Sequence, residues 1–583
     1  MSENVDERTQ FEIYYPPFEA AAKAGVGSVM CSYNKVIHVF MHDRTMLRPT
    51  RSAAPGAVRI RRRCSETSRN GWASRAGCVQ PLGEYRLELF SLSPQVMSDW
   101  GGTHSTSMTA GLDQEMPGSD HMGAQLAALV ASGEVTQAKV DDSTLRVLTP
   151  MFQMGLFDEP WISNVGSLES NVTSTEHNKL ARSIAAEGIV LLKNSGVLPI
   201  TATKNFTIAI IGEEARDPQV RGGGSGQVVP YYVSSPLAAM YDRFGIVENT
   251  DMDSMEWKPI LDDRCNSIDK EECWMGTDNQ NMAEDTVISN SCNTAGVCIS
   301  YDPGTDTTTA AMVAAEADIA LVFVATNSNE GADRVSLSFD YTSFDGNNDK
   351  LVAAVAAANK NTVVVGVAPG AVLTPWRDNA AAILLAFLPG QEYGNAVTDV
   401  LLGAVNPSGK LPLTLPTKEN ECPEFSTDMW PGSHNAAQAN YSEHLLIGYR
   451  CYDHFGIEPA FPFGHGLSYT TFALTGLKVS ANGSRISVLV ANTGRVAGRE
   501  VVQLYLSFPA IAGEPPQQLK RFEAVTLGAG ESRAVTFSLD RRDVSVWDVG
   551  RHRWVEVGGT FGVSVGTSSR DRRALKGSFV TSG

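Results

Sequence analysis

Pro94-Gln-Val-Met-Ser-Asp-Trp-Gly101 places an apolar pair, Val96 and Met97, before a hydroxyl, one carboxylate and one indole. A buried strand that delivers an acid to a pocket ends in this order. Its apolar residues stay in the sheet, and the chemistry-bearing ones emerge at the carboxyl end. The stretch predicts a strand presenting Asp99 and Trp100, with Asp99 as candidate nucleophile. Upstream, Gly27-Ser-Val-Met-Cys-Ser-Tyr33 reads as another buried strand. It follows a helix expected over Glu7 to Lys23, broken or kinked at Pro16 and Pro17 and ended by Gly25. Helix, strand and a later strand form a fragment of alternating β/α architecture.

Working outward, 583 residues exceed what one core organises, so several domains are expected. The net charge of -18 argues against nucleic acid, where a basic face must meet phosphates. It suits an extracellular or acid-tolerant protein with a neutral ligand. No apolar run reaches the ~20 residues needed to span a bilayer. The first residues lack the basic and apolar regions of a signal peptide. Of the nine cysteines, Cys265, Cys273, Cys292 and Cys298 share one Asp/Asn-rich segment. Their spacing is not that of paired zinc ligands, and disulfides could close the short loops between them. Sequons stand at Asn171, Asn205, Asn440 and Asn482. Together these features favour a secretory product.

Residues 37–93 break the pattern. They show no sustained period of 2 or 3.6, and they hold ten arginines and no lysine in an otherwise acidic chain. We read them as aberrant sequence, out of frame and then translated from an intron, rather than as a basic interaction loop. Beyond Asp99, helices are expected over 125–132 and 135–155, then a linker over 161–175. From 176 to 415, continuous apolar strands (206–212, 319–325, 362–367, 383–387) alternate with helices, which predicts an α/β layer with a mostly parallel sheet. Leu191 to Pro199 reads as a hairpin-like corner. Residues 416–470 read as irregular. From 471 on, period-2 strands with regular turn signals predict a β-sandwich.

Gly222-Gly-Gly-Ser-Gly226 lacks the lysine and helix of a phosphate cradle and reads as a flexible loop near a pocket. His104 reads as a loop histidine that is neither ligand nor base. No Gly-x-Ser-x-Gly elbow exists. Ala325-Thr-Asn-Ser-Asn-Glu-Gly-Ala-Asp-Arg334 follows a buried strand directly, again at a carboxyl end. There Gly331 would let a ligand approach the backbone beside Glu330, and Asp333 and Arg334 could pair and hold the loop.

The chain resembles glycoside hydrolase family 3. The resemblance rests on Val96-Met-Ser-Asp-Trp-Gly, Gly111-Leu-Asp-Gln-Glu-Met-Pro-Gly, Gly27-Ser-Val-Met-Cys-Ser-Tyr-Asn, Pro389-Gly-Gln-Glu-Tyr-Gly-Asn-Ala, Asn406-Pro-Ser-Gly-Lys-Leu-Pro and Phe461-Pro-Phe-Gly-His-Gly-Leu-Ser-Tyr. It covers about 1–36 and 94 to the end, and the likeness is to secreted β-glucosidases of fungi and similar microbes.

It implies a multidomain α/β plus β fold: a partial (β/α)8-type barrel over 1–160, an α/β sandwich over 176–415, a connection over 416–470 and a fibronectin-III-like β-sandwich over 471–583. It implies retaining hydrolysis of terminal β-D-glucosyl residues, as in cellobiose and short β-glucans, through a covalent glycosyl-enzyme. Asp99 maps to the nucleophile, Glu330 to the acid/base, and Met30, Tyr33 and Trp100 to the sugar subsite. No metal or cofactor is implied. The expected partners are a β-glucoside oligosaccharide and a second copy in a homodimer, with no nucleic acid and no membrane. The expected location is extracellular. The family's earlier barrel strands have no match here, so reduced or absent activity is expected of this chain. Two alternatives stand beside the glucosidase, a β-xylosidase of the same family and a non-catalytic carbohydrate-binding remnant.

Overall fold

The computed structural model describes residues 2–31, 35–36, 94–118, 120–158, 173–202, 204–246, 288–331, 334–340, 347–423 and 438–583. Residues 37–93, Tyr33, Cys265, Cys273, Asn171, Asp333 and most of the expected linker lie outside the described residues.

The middle of the chain is organised by a seven-stranded sheet. Its spatial order is Val190–Asn194, Ala382–Leu385, Thr362–Val367, Ile319–Ala325, Phe206–Ile211, Val297–Asp302, Ile288–Cys292. The pairings are parallel except at the two edges, where Val190–Asn194 and Ile288–Cys292 run antiparallel to their neighbours. All seven residues of Ile319–Ala325 are buried. Alternation sorts its side chains between two cores. Leu321 and Phe323 join Ile208 and Ile210 on one face. Val322 and Val324 join Ala209 and Ile211 on the other. Helices Pro236–Phe244 and Tyr393–Leu401 cover the first face, and Thr307–Ala315 and Asn348–Ala358 the second. A strand covered on both faces must be apolar at every position, which explains the continuous runs.

Three strands of this sheet, Val190–Asn194, Ile288–Cys292 and Val297–Asp302, differ from the sequence reading. The expected corner at Leu191 to Pro199 is a single edge strand, Val190–Asn194, followed by a turn in which the Asn194 side chain accepts from the N–H groups of Gly196 and Leu198. Val297–Asp302 went unrecognised because it lies among cysteines and asparagines. Cys292 and Cys298 form a disulfide across its antiparallel pairing with Ile288–Cys292. A second disulfide, Cys422–Cys451, ties the expected irregular connection to a helix, Tyr449–Phe455, that its mixed composition concealed.

In the N-terminal part, Ser28–Cys31 pairs in parallel with Gln95–Ser98, with Met30 opposite Met97. The helix before them is not broken by its prolines. An α-turn at Glu7–Thr9 passes through a π-turn, Gln10–Tyr14, into α-helix Tyr15–Lys23. Pro16 and Pro17 fall in the first turn of that last segment, where a missing N–H does least harm.

The C-terminal part is a sandwich of a three-stranded sheet (Phe472–Val479, Arg485–Asn492, Ser532–Ser538) and a four-stranded sheet (Gln518–Leu527, Gly498–Ser507, Gly559–Gly566, Leu575–Thr581). The N-terminal helix docks on it. Phe11 stacks on Trp547 with ring centroids 3.6 Å apart. The Trp547 indole N–H donates to Glu7 at 2.8 Å, and its backbone N–H to Glu12 at 2.7 Å. Arg8 pairs with both Glu12 and Glu514.

Trp547 is 3% exposed, and its truncation removes the stack and leaves Glu7 with His552 as its partner. Trp547→Ala is expected to destabilise this docking by about 3–5 kcal/mol. Limited proteolysis should then cut within residues 2–31 faster than in the parent chain, while the β-sandwich resists. Unchanged cleavage there would show that the helix is held elsewhere.

Candidate active site

The central sheet decides where chemistry can emerge. From Ile319–Ala325 the chain crosses to Thr362–Val367 on one side. From the adjacent parallel strand, Phe206–Ile211, it goes by way of Pro236–Phe244 to Val297–Asp302 on the other. The two strands pair in register, Ile208 with Ile319 and Ile211 with Val322. Connections that leave adjacent parallel strands in opposite directions open a crevice at their carboxyl ends, where α/β sheets bind ligands.

The two loops at this crevice are those that carry Gly222–Gly226 and Glu330. They meet in an isolated parallel bridge, Gly223 to Asn329. Gly223 N–H donates to Ser328 O at 3.2 Å, and Glu330 N–H donates to Gly223 O at 3.3 Å. The Ser225 N–H donates to Glu330 Oε2 at 2.5 Å. The Ser225 hydroxyl and this N–H together hold the Glu330 carboxyl below its usual range. The glycine segment, read from sequence as a flexible loop, is thus the partner of the glutamate loop. Arg334 holds the other end of that loop by donating to Ala371 O at 2.9 Å; the Asp333 side of the expected pair lies outside the described residues.

Glu214, in the short turn Glu213–Ala215 after strand Phe206–Ile211, is an acid that sequence reasoning passed over. Its Oε2 accepts from the Gln219 N–H at 2.7 Å. The residue as a whole is only partly buried. Burial around its carboxyl, reinforced by Asp217 and Glu213, nevertheless pushes it up to about 8.

The Asp99 end is built differently. Asp99 N–H donates to Cys31 O at 3.0 Å, so the candidate nucleophile continues the pairing of the two barrel-type strands. Trp100 N–H donates to Asp99 Oδ1 at 2.7 Å. Gly101, at φ +73°, turns the chain away, and its N–H donates to Met116 O at 3.1 Å. The strand's outer flank is the Gly111–Gly118 segment. Val96 N–H donates to Asp113 Oδ2 at 3.0 Å, Ser143 Oγ donates to Asp113 Oδ1 at 2.7 Å, and Met116 N–H donates to Ser98 Oγ at 2.8 Å. Asp113 is therefore a buried brace for the strand, a role its sequence context did not disclose. Met30 and Trp100 flank the strand end and stand 53% and 50% exposed. Met30, Asp99 and Trp100 are brought together at one strand end. Glu330 stands at the switch point of the other sheet, and Tyr33 lies outside the described residues.

The described residues thus present one carboxylate at a parallel strand end beside an exposed indole, and a second carboxyl on a loop at the switch point of the central sheet. Family comparisons carry the assignment further. Residues 189–469 match the glycosyl hydrolase family 3 C-terminal domain, and residues 500–569 match a fibronectin type III-like domain. The chain is 36% identical to a probable β-glucosidase L of Emericella nidulans, over 100% of this chain and 74% of that protein. It is 34% identical to a β-glucosidase of Pyricularia oryzae, over 98% and 73%. Among solved structures, the β-D-glucoside glucohydrolase of Trichoderma reesei superposes with a TM-score of 0.73 at 29% identity, over 100% of this chain and 76% of that one. A family 3 β-glucosidase of Bifidobacterium adolescentis gives 0.74 at 29%, over 99% and 73%. The chain is a glycosidase. It belongs to glycosyl hydrolase family 3.

The raised Glu214 carboxyl has a calculable sign. Its folded value, about 8, lies above the ordinary glutamate value. Its contribution to stability is therefore full below about pH 4.3 and is lost as pH rises toward 8, at no more than about 1.4 kcal/mol per pH unit. Glu214→Gln should flatten this dependence. Melting temperatures of variant and parent are expected to be close at pH 4.5, with the variant higher at pH 8. Parallel pH curves would contradict the assignment.

Proposed function

We propose that the chain is a retaining β-glucosidase acting on terminal β-D-glucosyl residues of cellobiose and short β-glucans, with Asp99 as nucleophile and Glu330 as acid/base. The observation that carries this reading is the strand end at Asp99, where the carboxylate is fixed by the Trp100 N–H and flanked by the exposed Met30 and Trp100. A fixed, ionised oxygen is what attack on an anomeric carbon requires, and an indole packs against the apolar face of a pyranose. The relatives named above are β-glucosidases, which favours glucose over the xylose of the runner-up reading.

In the first step Asp99 Oδ attacks the anomeric carbon while the bond to the leaving oxygen breaks, and that oxygen takes a proton from Glu330. In the second, water attacks the same carbon and gives its proton to the Glu330 carboxylate. Asp99 leaves as a carboxylate, and the sugar keeps its β configuration. Retaining chemistry of this kind needs the two carboxyls about 5–5.5 Å apart. Met30, Trp100 and Tyr33 would hold the sugar. No step calls for a metal, and among the described residues no cluster of three or more His, Cys, Asp or Glu could hold one.

The half-exposed Met30 and Trp100 leave the sugar site open to water, so slower turnover than that of the longer relatives is part of the proposal. An extracellular site of action is favoured by the two disulfides, and no described helix is long and apolar enough to cross a membrane.

Covalent trapping tests the roles without requiring fast turnover. Incubation with an activated 2-deoxy-2-fluoro-β-glucoside should add one fluoroglucosyl mass, and peptide mapping should place it on Asp99. Asp99→Asn should take no label. A label on another residue would displace Asp99 from the role. Preferential labelling by the fluoroxyloside would shift the substrate to xylose, and steady-state turnover equal to that of a longer relative would remove the claim of a weakened enzyme.

A further inference from the structure

The glycine segment shows an uneven tolerance for side chains that tracks its contact with Glu330. A Cβ built on Gly223 would lie 1.9 Å from Asn329 Oδ1 and 2.7 Å from its Cγ. On Gly224, at φ +100°, it would fall 2.3 Å from Glu330 Cβ and 2.8 Å from Oε2. On Gly226 it would meet nothing within 4 Å. The Asn329 amide could swing away from a side chain at 223, but Glu330 Cβ is fixed to its backbone, and Gly224 also stands at positive φ. Gly224 is thus the glycine the glutamate loop requires, while Gly226 lies beyond its reach.

We propose that Gly223–Ser225 is a positioning element for Glu330: its bare backbone lies against the side chain's Cβ, and the Ser225 N–H takes one carboxyl oxygen. The catalytic meaning rests on the reading of Glu330 as acid/base; the cradle itself does not.

The hydrogen-bond register supports the cradle independently of charge. Gly223 donates to Ser328 O and accepts from Glu330 N–H, so the two loops are tied on both sides of the contact. The Gly222 Cβ position lies 3.3 Å from Ser328 O and 3.6 Å from Leu388 Cδ1, close but tolerable. Arg221 donates to Val228 O at 3.2 Å and closes the segment on itself. Gly390 N–H donates to Val220 O at 3.0 Å and fixes its root to the sheet. The lowered Glu330 carboxyl follows from this geometry, since an N–H favours the ionised form. A resting carboxylate suits the second chemical step, in which the group accepts a proton from water. To act first as an acid, Glu330 must be protonated against this preference, as when a bound substrate excludes water from it.

The test is a carboxyl titration of the full chain labelled with [5-13C]glutamate, in which the Glu330 signal is assigned by its loss in Glu330→Gln. In the parent the midpoint should lie below the ordinary glutamate range. It should rise in Ser225→Ala, which removes the hydroxyl, and in Ser225→Pro, which also removes the N–H. Gly224→Ala, which displaces the carboxyl, should raise it too, and Gly226→Ala should not. Melting curves identify a variant that has lost its fold. In that event Gly224→Ala, which keeps every N–H of the segment, decides. Midpoints equal in parent, Gly224→Ala and Ser225→Pro, or a parent midpoint at or above the ordinary range, would overturn the cradle. Separately, Glu330→Ala should lose turnover of cellobiose more than that of an aryl glucoside with a good leaving group. An equal loss on both would remove the acid/base reading and leave the cradle standing.

Discussion

A sheet buried on both faces can present polar chemistry only where its strands end. Ile319–Ala325 is the fourth of seven strands and is buried throughout. The chain leaving it therefore meets solvent first at the residues after Ala325, and Glu330 is among them. The neighbouring strand, Phe206–Ile211, ends at the same edge, and its loop departs the opposite way. Glu330 stands where it does because of this divergence. The loop from one strand supplies the side chain and the loop from the other supplies the backbone that holds it. Shifting the pairing of Ile208 with Ile319 by one residue would exchange the two cores and separate the loops.

The Asp99 end obeys the same rule in a different setting. Ser28–Cys31 and Gln95–Ser98 run parallel, and the aspartate extends their ladder by one bond to Cys31 O. The outer flank is not a helix but the Gly111–Gly118 segment, which lends Asp113 as a buried acceptor for the strand's own N–H. The Ser143 hydroxyl, from helix Gln137–Gln153, caps the second oxygen of that carboxylate. One acid is thus spent on architecture so that another, three residues beyond the braced Val96, can be presented at the strand end. Glu214 repeats the division of labour: a partly buried acid takes the Gln219 N–H in the chain leading to the glycine segment, and Glu330 stays exposed.

What the sequence disclosed divides along this line. The strands of the central sheet were legible because burial on both faces leaves unbroken apolar runs. Asp99 was legible because an apolar run followed at once by an acid and an indole has few structural uses. Val297–Asp302 was not, since its alternating Cys, Ser and Asp read as part of a polar cysteine-rich loop until its disulfide partner is seen. The pairing of Gly223 with Asn329 was not legible either, because the residues lie 106 positions apart and each glycine carries no side chain from which to infer a contact. Glu214 and Asp113 look like ordinary surface acids in the sequence, and only the packing around their carboxyls marks them as structural. Local pattern reveals which residues bury. It does not reveal which backbone a bare glycine will lie against.

Both candidate catalytic carboxyls are held by backbone N–H groups, Asp99 by Trp100 and Glu330 by Ser225. Neither of these anchors is an arginine or lysine. A cation would fix a carboxylate as ionised over the whole working pH range and would compete with a developing oxocarbenium ion for its charge. An N–H dipole orients the oxygen at smaller electrostatic cost and can be released. In the proposed reaction that difference matters unequally. Asp99 has to remain ionised until it forms a bond, so its anchor can be permanent. Glu330 has to change protonation twice in each cycle, so its anchor must favour one state without enforcing it. The glycine segment meets that need, because its N–H takes only one of the two carboxyl oxygens and brings no charge of its own.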